Sequence, residues 1–72
     1  MYPIYRINKN SSHYIGDAND FQSALRKISK DISHRGYDSY YIRIHKHDGT
    51  TVIDYGSHSE FYHIKNDIPI DL

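Results

Sequence analysis

The chain contains no cysteine and no tryptophan, only two prolines and one methionine, and no excess of charge of either sign. Without cysteine, disulfide bridges and thiolate metal sites are excluded. That absence suits a reducing compartment. No apolar run reaches signal-peptide or membrane-spanning length, so a cytoplasmic location and no membrane partner are the default expectations. Nine Lys and Arg balance nine Asp and Glu. Nucleic-acid binders usually carry a positive excess, because phosphate neutralisation supplies much of their affinity, so the balance counts against that class without removing it. The four glycines, Gly16, Gly36, Gly49 and Gly56, each stand at an element boundary rather than in a phosphate-cradling loop. No cofactor is therefore expected.

What is abundant is tyrosine, eight residues against two phenylalanines, and histidine, six residues. Tyrosine serves thin β-rich cores, where its ring packs while its hydroxyl stays wet. It also gives large contact area at small entropic cost on binding surfaces. The histidines make the charge labile, since protonation below about pH 6.5 drives the protein positive. With 72 residues the chain is one domain spanning 1–72. Such a domain buries only about 60% of the surface its unfolded form exposes. Its stability should then be about 3–5 kcal/mol.

The pattern along the chain predicts a small α+β domain of order β-α-β-β, with a fourth strand at its end. Tyr2 to Asn8 reads as a strand whose weak alternation leaves its register open. The polar segment from Lys9 to Gly16 is either a connecting loop or a cover for a brief extended piece at His13-Tyr14-Ile15. Ala18, Phe21, Ala24, Leu25, Ile28 and Ile32 fall on one stripe of a 3.6-residue period and predict an amphipathic helix. Asp17 or Asn19 can cap it, Asn19 and Gln22 forming a capping box. Gly36 ends it in the left-handed conformation.

Asp48-Gly49 between two β-rich runs is a strong hairpin signal, because both turn positions must tolerate positive φ. A two-residue turn sets His47 opposite Thr50, His45 opposite Val52, Ile44 opposite Ile53, Arg43 opposite Asp54 and Ile42 opposite Tyr55. Glu60 to Lys65 is a final strand or a short helix capped by Ser57 and Glu60; Phe61, Tyr62 and Ile64 favour the strand. Residues 66–72 are expected to be extended or loose, given Pro69. The expected core joins Phe21, Leu25, Ile28 and Ile32 to Ile42, Ile44, Ile53 and Tyr55, with Tyr5 and Ile7 from the first strand.

One sheet face then stays open, carrying Tyr41, Arg43, His45, His47 and Asp54, with Arg6 alongside, and also Thr50 and Val52. These residues are the candidate binding surface, since rings, guanidinium planes and imidazoles can stack on or pair with a partner. The ordinary alternative is a solvated face with an Arg43–Asp54 cross-strand pair. A second candidate is the outward side of the helix, with Arg26, Lys27, Lys30, Asp31, His34 and Arg35. It is either a basic stripe for phosphates or an acidic partner, or a solvated face with a Lys27–Asp31 pair at i,i+4. His45-x-His47 puts two imidazoles on one side of a strand, but zinc needs further ligands, which His58, His63 or Asp54 would have to supply. No spacing fixes a metal site or a catalytic set. The leading expectation is a non-enzymatic module that binds another protein or a second copy of itself through an open sheet face or edge. The alternative is single-stranded nucleic acid, and the third reading is a metal- or histidine-dependent hydrolase.

Overall fold

The computed structural model describes residues 1–36, 42–56 and 59–70. One helix packs against a five-stranded antiparallel sheet, an α+β arrangement. In chain order the elements are β1 Tyr2–Asn8, β2 Ser11–Ala18, α1 Phe21–His34, β3 Arg43–His47, β4 Thr50–Asp54 and β5 Glu60–Ile64. The strands lie side by side as β2-β1-β5-β4-β3. Among the described residues, no helix is long and apolar enough to cross a membrane.

The β3–β4 hairpin follows from its turn chemistry. Asp48 and Gly49 take φ of 49° and 77°, the pair of positive values that a two-residue primed turn requires. The register runs Arg43–Asp54, Ile44–Ile53, His45–Val52, Lys46–Thr51 and His47–Thr50, as the sequence predicts. Ile42 precedes the strand, so the Ile42–Tyr55 pair falls outside this ladder; both residues still pack on the core. The last strand is a strand, not a helix, paired to β1 on one side and β4 on the other.

Three expectations are corrected. Ser11–Ala18 forms a full eight-residue strand, which contains the extended piece expected at His13-Tyr14-Ile15 and replaces the connecting loop, with its irregularity between Ile4 and Tyr5 of the partner. Ala18 accordingly ends β2 and is buried there, while the helix starts at Phe21. The cap is Asp20, not Asp17 or Asn19; its carboxylate accepts from the Ser23 amide at 2.8 Å. The β1 face is also reversed. Ile4 is fully buried against the helix and Tyr2 packs beside it, whereas Tyr5 and Ile7, expected inside, point to the other side of the sheet.

Phe21, Ala24, Ile28 and Ile32 of the helix meet Ile4, Ile53, Tyr55, Tyr62 and Ile64 of the sheet. Leu25, Ile42 and Ile44 border this core. The segment after β5 has no regular structure, yet Ile68 is fully buried and closes the core. It is clasped to the hairpin, because the Asp67 amide donates to the Gly49 carbonyl and the Asp67 carboxylate accepts from Lys46 at 2.9 Å.

Candidate functional site

Two polar braces hold the helix-facing side of the sheet. Arg6, expected on the open face, instead points towards the helix. Its guanidinium donates to both Asp31 oxygens at 3.0–3.1 Å, and the Tyr62 hydroxyl donates to the same carboxylate. The reason is strand parity: Arg6 shares its face with Ile4, whose burial against the helix fixes that side. Asp31 is thereby taken from Lys27, so the i,i+4 pair of the solvated-helix reading is not what the aspartate makes.

The second brace centres on Glu60, whose side chain is 8% exposed. Arg35 grips it with two guanidinium nitrogens at 2.6 and 2.7 Å. Tyr55 donates to it at 2.7 Å and Asn8 at 3.0 Å. Arg35 holds the Glu60 carboxyl below the usual carboxylate range, with Tyr55 assisting against the opposing effect of burial. The Tyr55 hydroxyl is pushed up to about 12, first by burial and then by Glu60. Burial, reinforced by Asp31, likewise raises Tyr62. Each carboxylate is engaged by an arginine and a tyrosine, so neither is poised as a nucleophile or general base. This cluster fastens the C-terminal half of the helix to β1 and β5.

Among the described residues, no layer packs on the opposite face of the sheet. Alternation along the strands turns Tyr5 and Ile7 of β1, Phe61 and His63 of β5, and Val52 of β4 to this side. Direct register partners form a continuous row, Tyr14–Tyr5–His63–Val52–His45, that crosses all five strands. Tyr5 and Tyr14 form a tilted ring pair with centroids 5.7 Å apart. Tyr14 is 57% exposed, and its hydroxyl donates to Asp17 at 2.7 Å, which pushes the tyrosine pKa up and disfavours its ionisation. Ile7 faces Phe61 in the adjacent row. The Lys65 ammonium reaches the Thr50 hydroxyl at 3.2 Å. Burial holds the His63 imidazole below the ordinary histidine value, with Lys65 and His45 adding to the effect.

Arg43, His45, His47 and Asp54 stand on this face, on the two strands at one end of the sheet. His47 contacts the Asp48 carboxylate at 3.3 Å. Tyr41 and His58 lie outside the described residues. The centre of the face belongs to Tyr5, Ile7, Phe61 and His63, which the sequence reading did not place there. The period-two pattern of Glu60 to Ile64 separates Phe61 and His63 from the buried Tyr62 and Ile64, but β1 has apolar residues on both sides, and its pairing with β5 leaves no local mark. Among the described residues no three His, Cys, Asp or Glu side chains gather as metal ligands. On the far side of the molecule, Arg26, Lys27 and Lys30 are exposed on the helix.

No family matches. The comparisons with protein-family models, with curated proteins and with solved structures all returned nothing similar to this chain.

Proposed function

We propose that this protein is a non-enzymatic protein-binding module that associates with a second copy of itself through the uncovered face of its sheet. The observation that carries the reading is the placement of Tyr5, Ile7 and Phe61 on the two central strands, on the side away from the helix. Aromatic anchors at the centre of a patch with polar groups at its rim have the anatomy of a protein interface. The neutral net charge removes long-range repulsion between copies.

The rim of the face is also complementary to itself: His45 and His47 stand at the β3 edge, and Tyr14 and Asp17 stand at the β2 edge. A two-fold axis parallel to the strands lays β3 of one copy across β2 of the other and, by the cross-strand rows, sets His45 against Tyr14 and His47 against Asp17. A standard interface takes about 800 Å² from each partner. That is about a sixth of the 4701 Å² accessible surface, and one broad side of a body 28 × 24 × 20 Å is of that order. The face is favoured over the β3 edge, which carries Arg43 and Lys46, since charged side chains of this kind discourage strand addition.

Sedimentation equilibrium tests the reading. The wild type should dimerise with micromolar affinity, and Phe61→Glu should be monomeric while melting normally at low concentration. A wild type that stays monomeric at millimolar concentration, or dimers that Phe61→Glu leaves intact, would remove this function.

A further inference from the structure

We infer that the outward side of α1 is a second, independent binding surface, for the phosphate backbone of nucleic acid. At 100° per residue, Gln22, Arg26, Lys27, Lys30, Ser33 and His34 occupy one arc of the helix, opposite the buried Phe21, Ala24, Ile28 and Ile32. Arg26, Lys27 and Lys30 are all exposed. A solvated helix usually neutralises such a stripe with acidic neighbours at i,i+4. Here Asp31 is the only acidic residue within α1, and its carboxylate is held from the sheet side by Arg6 and Tyr62. Asp20, just before the helix, caps the Ser23 amide. The two braces that build the fold thus leave three long cations without an acidic partner among the described residues. A chain of zero net charge presents a locally cationic side.

The chemistry of this side selects the partner. Apart from the His34 imidazole it has no ring, and it has no large exposed apolar anchor, so it lacks the Trp and Tyr anchors that dominate protein interfaces. It offers cations interspersed with Ser and Gln, the groups that contact phosphate and sugar rather than base edges. With 1.5 Å of rise per residue, Arg26 to His34 spans about 12 Å along the axis. Such a surface binds without reading sequence. It also prefers duplex to single strand, because charge density is higher in the duplex and the surface has no Tyr, Phe or Trp platform for bases. The affinity is modest, with a dissociation constant on the order of 10⁻⁴ M at physiological salt, the weak end of non-specific binding. This inference does not depend on association through the sheet, which lies on the other side of the molecule.

The test is fluorescence anisotropy with labelled DNA of about 20 nucleotides, as duplex and as single strand. Three phosphate contacts predict a logarithmic salt slope of about −2.7 for the duplex, hence about 40-fold weaker binding when salt rises from about 50 to about 200 mM. The triple variant Arg26→Gln, Lys27→Gln, Lys30→Gln should lose binding while keeping its urea midpoint. Lys9→Gln, in the β1–β2 turn, should bind as the wild type does. Absence of duplex binding at low salt, a slope shallower than −1, or an unaffected triple variant overturns the proposal. So does tighter binding of the single strand, which would point to base stacking. Polyglutamate that binds where the duplex does not would assign the surface to an acidic protein instead.

Discussion

Replacing Glu60 by Gln removes one negative charge from a nearly buried position while keeping its shape. The carboxylate accepts two hydrogen bonds from Arg35, one from Tyr55 and one from Asn8. Hydrogen bonds to a charged group are worth about 1.5–3 kcal/mol, and removing one partner of a fully buried ion pair costs about 3–5 kcal/mol. The Arg35 side chain is 28% exposed and regains water when its partner is lost, so the lower part of this range applies. The expected cost is about 2–3 kcal/mol, or about 10–20 °C in melting temperature for a domain of this size. That is about half of the whole stability expected for so small a core.

The cost must also depend on pH, with a definite sign. The folded carboxyl ionises below its unfolded counterpart, so its contribution is fully present above the ordinary glutamate value. It is lost as pH falls through the folded one. Urea unfolding of wild type and Glu60→Gln, followed by circular dichroism from neutral pH to about pH 3, measures this directly. The difference in stability should be constant at neutral pH and shrink in acid. A neutral-pH cost below about 0.5 kcal/mol, typical of a surface substitution, would show that the brace contributes nothing. A difference that does not change in acid would show that its charge is irrelevant.

Two further perturbations test other parts of the structure. Because burial holds His63 below the ordinary histidine value, the unfolded chain takes up its proton first, so acidification from pH 7.5 to 5.5 should destabilise the fold; the drop should be smaller in His63→Gln, and an equal drop in urea midpoint would refute this. Thr51 is fully buried and its hydroxyl has no hydrogen-bond partner among the described residues, so Thr51→Val should raise stability by about 1 kcal/mol, whereas a lower melting temperature would reveal a partner for that oxygen.

The hairpin was legible because two independent signals coincide in it: Asp48-Gly49 sets the turn, and the alternation of Ile44, Val52 and Ile53 then admits one register. The helix was legible from its buried stripe, but three neighbouring residues, Asp17, Asn19 and Asp20, can all cap, and only the geometry selects Asp20. β2 was obscure because it is an edge strand whose first four residues are exposed on both sides, so no hydrophobic alternation marks it. β1 failed differently. Tyr2 and Ile4 compete with Tyr5 and Ile7 for the inner face, and the outcome places Arg6 within reach of an aspartate 25 residues away. The candidate surface inherited that uncertainty: its flank of Arg43 and His45 was readable from the turn, while its centre depended on the pairing of β1 with β5.

The place of β5 in the sheet has a consequence for cooperativity. Each of the other strands is joined to its sequence neighbour in a local hairpin, β1 with β2 and β3 with β4, and β5 alone connects the two hairpins. Take away those five residues and the sheet falls into two ribbons joined only through the helix and its core, neither ribbon stable by itself in water. Opening of Glu60–Ile64 therefore removes the backbone pairing between the two halves of the sheet at once.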